Sequence, residues 1–208
     1  PRTHAIIQEW LSTGHTIPRP ILNCLNRLKH EDICYSLKDT FGSVGLDLTD
    51  LKVLETWRIL NAFWWERFFS SRYLNLYVPF PGASEFVRHV HQLGAMIVYL
   101  TGRDEKKMMQ GTLDNLQRDK FPIPSSSVRL IMKTDSNISD ADYKRASAKE
   151  IETSAHVIAS FENEPHNVVA LYETFPTALH IFLQTTCSDK PARALSGLYK
   201  IRGFSSGT

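Results

Sequence analysis

Apolar positions recur at two different periods along this chain, and the change falls at one place. Upstream of residue 79 the spacing is helical. Ile6, Ile7, Trp10 and Leu11 share one face of a helix over residues 3–12, which Gly14 and Pro18 interrupt. A second helix is predicted over 20–29, with Ile21, Leu22, Leu25 and Leu28 as its apolar side. Residues 31–46, which include Gly42 and Gly45, are less regular. Thr49 or Asp50 caps a long helix running to Phe69. Its apolar face, Val53, Trp57, Leu60, Trp64 and Phe68, recurs at spacings of four, three, four and four. The aromatic run Phe63-Trp64-Trp65 with Phe68-Phe69 reads as core in preference to a pocket lining.

Pro79-Phe-Pro81-Gly82 is the boundary, and beyond it strand and helix patterns alternate. Helices are predicted over 83–93, 105–118, 140–153 and 165–173, and strands over 95–100, 128–132, 156–161 and 179–183. Alternation with short loops implies a parallel sheet with right-handed crossovers. The tail beyond Cys187 carries no usable period. Four segments follow: 1–13 as a link, 14–78 as a helical insertion, 79–188 as a Rossmann-like core and 189–208 as a tail.

Composition changes this picture little. Net charge is +2 and the cations are scattered, with Lys106-Lys107 the densest pair, which gives no electrostatic case for nucleic acid or an anionic membrane. No apolar run is long enough to span a bilayer. Cys24, Cys34 and Cys187 lie far apart without C-x-x-C spacing, so reduced thiols in a cytoplasmic protein are expected.

Candidate chemistry sits where two apolar runs end. Ala95-Met-Ile-Val-Tyr-Leu stops at Thr101-Gly102-Arg103-Asp104. A threonine hydroxyl can donate to an anionic oxygen, glycine admits close backbone approach, and the next helix aims its amino end at the same spot. Arg103 adds a bidentate cationic donor. The plainer reading is a strand-to-helix turn capped by Thr101 or Asp104. The second run ends at Phe161-Glu162-Asn163-Glu164-Pro165. Two carboxylates two residues apart suit oxygen ligation of Mg²⁺, or they offset the dipole of the helix that Pro165 opens. Asn167, one turn into that helix, either orients a ligand or holds the turn. Between the two ends, Lys133 closes a strand and Lys144 follows Ser139-Asp-Ala-Asp142, 18 residues before Glu162. Either lysine at that edge would neutralise a phosphate or a carboxylate nucleophile; the usual alternative is a solvated surface charge.

In this order the segments resemble the haloacid-dehalogenase (HAD) superfamily of phosphohydrolases. Thr101-Gly102-Arg103 is similar to its second motif, Lys144 (with Lys133 the alternative) to its third, and Phe161-Glu162-Asn163-Glu164 to its fourth. The resemblance implies a HAD-like Rossmannoid α/β fold, a parallel sheet flanked by helices, with a helical cap inserted before the second motif. It implies Mg²⁺ held by Glu162 and Glu164, catalytic roles for Thr101 and Lys144, and substrate contacts from Gly102, Arg103 and Asn167. The substrate expected is a small phosphorylated metabolite, hydrolysed through an aspartyl-phosphate. Two departures stand out: the fourth motif has Glu where Asp is usual, and the Asp-x-Asp first motif is missing. Ser43-Val-Gly-Leu-Asp47-Leu-Thr-Asp50 lacks the apolar strand and the acid spacing, and reads as a turn capping the long helix. The nucleophile is therefore expected on a strand upstream of Pro1. The alternative is a catalytically inactive phosphate-binding or regulatory module on the same fold. A dinucleotide-binding oxidoreductase is disfavoured because no G-x-G-x-x-G follows any strand.

Overall fold

The first half of the chain folds as the helical spacing requires. A computed structural model of the chain describes residues 1–135, 137–189 and 192–204, so six residues of the predicted tail (190, 191 and 205–208) lie outside the described residues. The contacts divide the chain into two compact units, Pro1–Tyr77 and Val78–Thr208.

The first unit is built from α1 (Arg2–Ser12), α2 (Arg19–Asn26), α3 (Leu37–Ser43) and α4 (Leu51–Phe68), with short 3₁₀ turns at His30–Asp32 and Ser71–Leu76. Asp50 opens α4, its carboxylate accepting the backbone N–H groups of Lys52 and Val53. The residues expected to be a link are α1, whose Ile6, Ile7 and Trp10 share one core with Leu25, Phe41, Leu60 and Trp64. Phe68 and Phe69 pack on that core, whereas Trp65 is 59% exposed. Asp47 is exposed in the turn before α4; hydrogen bonds from the Thr49 backbone and hydroxyl hold its carboxyl below the usual range.

The second unit is α/β. Its order is α5 (Ala83–Gln92), β1 (Ile97–Asp104), α6 (Glu105–Arg118), β2 (Val128–Lys133), α7 (Asp140–Glu152), β3 (Ala159–Glu162), α8 (Pro165–Thr174), β4 (Leu179–Leu183) and β5 (Tyr199–Ile201). Every strand pairing is parallel: β1 with β2, and β3 with β4, which pairs in turn with β5. Val98 and Leu100 of β1 and Ile131 of β2 meet Ala148, Ile151, Leu171 and Phe175 of the α7–α8 layer. On the opposite face of β1, Tyr99 donates to the Pro122 carbonyl, and burial pushes its pKa up to about 12.

Among the described residues β1 pairs on one side only, with β2, and β3 on one side only, with β4. α7 packs on β1, α8 packs on β3, and the two helices pack on each other. A parallel strand in the middle of such a sheet is normally buried on both faces. Here all eight residues of β1 are half-exposed, and Ile158, just before β3, is 62% exposed.

Leu60 is fully buried in the first unit. Leu60→Ala should lower stability by about 2–5 kcal/mol, the range for a buried leucine truncation, as read from urea denaturation.

Candidate active site

The carboxyl ends of β1, β2 and β3 bring the sequence candidates to one edge of the second unit. At the end of β1 the register with β2 is irregular between Thr101 and Asp104. Thr101 Oγ1 accepts the Arg103 N–H at 3.3 Å, which leaves the hydroxyl proton to be donated outward. Asp104 caps α6, its carboxylate accepting the Lys107 N–H at 2.9 Å. Arg103 Nη1 donates to Thr112 Oγ1 at 3.1 Å, so the guanidinium is engaged by α6. Gly102 lies close under Asp140: a Cβ there would stand 2.9 Å from Asp140 Oδ2, so that side chain would have to shift.

Both candidate lysines are buried at this edge. Lys133 Nζ donates to Asp140 Oδ1 at 2.8 Å, and Lys144 Nζ donates to Glu162 Oε2. Lys133 therefore belongs to the Gly102 side of the edge, and Lys144 to the acidic strand end. Their side chains are about nine-tenths buried, as is that of Glu162. Asp140, which touches Gly102 and holds Lys133, carried no role in the sequence reading. The visible signal around it was the cap pattern, and Ser139 does accept the Asp142 N–H at 3.2 Å.

The acidic strand end is tightly hydrogen-bonded. Glu162 Oε1 accepts the backbone N–H groups of Asn163 and Glu164 at 2.9 and 3.0 Å. Glu164 accepts the Ser188 N–H at 3.2 and 3.3 Å and the Ser188 hydroxyl at 2.8 Å. Asn167 is buried in the first turn of α8. Among the described residues no group of three or more His, Cys, Asp or Glu side chains could hold a metal ion. Glu162 and Glu164 are already engaged by protein donors, so this donor set does not by itself fit Mg²⁺. What the edge offers is a hydroxyl, a close-approach glycine and two buried ammonium groups, each paired with a carboxylate, Asp140 or Glu162: donors suited to an anion.

Residues 64–162 match the family model described as HAD superfamily, subfamily IIIB (acid phosphatase). No curated protein and no solved structure matches the chain. The HAD resemblance is borne out over this stretch, and the parallel α/β arrangement agrees with it. The match starts within α4 and ends on Glu162, so it includes Thr101, Gly102, Arg103, Lys133 and Lys144, whereas Glu164 and Asn167 lie beyond it. It supports a phosphatase as the class of activity. No helix among the described residues is long and apolar enough to cross a membrane.

The Lys144–Glu162 pair gives a direct check. Lys144→Met strands a buried carboxylate and should cost about 3–5 kcal/mol of stability. Adding Glu162→Gln should recover part of that loss, a non-additivity read from a denaturation double-mutant cycle.

Proposed function

We propose that this chain supplies part of a phosphatase site that hydrolyses a small phosphorylated metabolite through an aspartyl-phosphate. The observation that carries the reading is the buried Lys144–Glu162 pair at the same strand edge as Thr101-Gly102, within a segment that matches an acid phosphatase subfamily. Thr101 and the Gly102 N–H are assigned to the phosphoryl oxygens, and Lys144 balances the charge gathered there. Lys133, held by Asp140 beside Gly102, is a second cation at the same edge. Arg103 and Asn167 are the substrate-side residues of this reading.

The nucleophilic carboxylate would come from a strand preceding Pro1 and seated beside β1 and β3. The open edges and half-exposed residues of those strands support this placement. That carboxylate attacks phosphorus as the bond to the leaving oxygen breaks, and the leaving alcohol takes a proton from a second acid of the same strand. Water then attacks the acyl phosphate, releasing inorganic phosphate and restoring the carboxylate. Magnesium dependence is part of the proposal, and it needs further carboxylates from that strand beside Glu162. A cytoplasmic location is assigned on the three free thiols. The helical unit Pro1–Tyr77 is the cap of this reading.

A second reading, an inactive phosphate-binding module, is favoured by one observation: both carboxylates of the acidic strand end already have protein donors. Turnover of p-nitrophenyl phosphate with Mg²⁺ separates the two. The encoded full-length polypeptide should be active, lose activity to EDTA, and fall about 10²–10³-fold in kcat on Lys144→Ala, the scale of one lost electrostatic stabiliser. The 208-residue chain alone should be inactive. Equal activity in both forms would refute the strand placement, and phosphate binding without turnover in both would favour the module.

A further inference from the structure

The residues after β4 return repeatedly to the acidic strand end. Asn163 Nδ2 donates to the Thr186 carbonyl at 3.4 Å. Ser188, 7% exposed, gives both its N–H and its hydroxyl to the Glu164 carboxylate. The chain then forms β5 on the far side of β4, where Gln184 N donates to Ile201 O at 2.8 Å. Finally Phe204 packs 5.6 Å from Phe161 of β3 and 5.3 Å from Phe86 of α5. Its N–H donates to the Pro81 carbonyl at 3.3 Å.

We propose that Glu164 is a positioning residue: its carboxylate anchors the C-terminal segment through Ser188 and so holds the Glu162 turn against Lys144, without ligating a metal. The anchoring rests on geometry alone; its effect on turnover rests on the phosphatase reading. One N–H lies between both oxygens of Glu164, and the hydroxyl takes a further lone pair of Oε2. These two donors take up to three of the carboxylate's four lone-pair sites, and a cation bound across both oxygens would compete with them and threaten to leave a buried N–H and a buried hydroxyl without acceptors. The backbone of Glu164 is meanwhile held by Glu162 Oε1. Residue 164 thus joins the tail, by its side chain, to the catalytic edge, by its main chain.

Hydrogen exchange of the encoded full-length polypeptide tests the anchor. Glu164→Ala and Ser188→Ala should each speed exchange at Asn163, Glu164 and residues 186–188 about tenfold, and the double variant no further. Glu164→Gln keeps an acceptor oxygen and should stay within about threefold of the parent. Added Mg²⁺ should leave the Ser188 amide protected. With p-nitrophenyl phosphate, Ser188→Ala should lower kcat about tenfold at unchanged KM and unchanged Mg²⁺ requirement, and Ser188→Thr should restore it. Unchanged exchange at residues 186–188 in Glu164→Ala overturns the proposal. So does loss of Ser188 protection on adding Mg²⁺, or a raised Mg²⁺ requirement in Glu164→Gln. If no form of the protein turns over phosphate, the phosphatase reading fails while the exchange measurements still decide the anchor.

Discussion

The second unit depends on a buried ion pair. Lys144 and Glu162 lie on different elements, α7 and β3, and their side chains are about nine-tenths buried. Two charges taken out of water recover the desolvation cost only with close geometry and further hydrogen bonds. The surroundings provide both. Glu162 takes two backbone N–H groups on its other oxygen, and α7 is held in place by α8 and by β1. Replacing the pair with apolar residues would be a simpler way to hold α7 on the sheet. Lys144 also lies one helical turn from Asp140 on α7, the residue that meets Gly102 and Lys133.

The strands of the second unit form two sheets, β1 with β2 and β3 with β4 and β5. The crossover from β2 through α7 to β3 passes over β1, yet β1 and β3 do not pair. The α7–α8 layer nevertheless packs as one core over strands of both pieces. The strands under this helical layer, β1 and β3, are each paired on one side among the described residues, and the residues of β1 are partly exposed.

Much of this was legible in the sequence. Apolar spacing gave α4 from Asp50 onward, and breaker clusters gave the boundary near Pro79, because both signals are local. The strand ends were legible for the same reason: Thr101-Gly102 and Glu162-Asn163-Glu164 interrupt apolar runs. Asp140 was not, because its contact with Gly102 depends on where α7 lands on β1. The tail was not, because β5 is three residues long and draws its pairing from β4. Such a short strand has no period of its own. Ser188 likewise has meaning only once β4 has carried the chain back to the acidic turn.

The length of the glutamate side chain is used at both positions of the acidic turn. A carboxylate at position 162 must fold back to the N–H groups of Asn163 and Glu164 with one oxygen and reach Lys144 with the other. The extra methylene of glutamate gives the head group the length to meet both. At position 164 the same length lets the carboxylate meet a buried serine 24 residues further along the chain. Through Glu164 the acidic turn is tied to the segment that goes on to form β5 on the far side of β4.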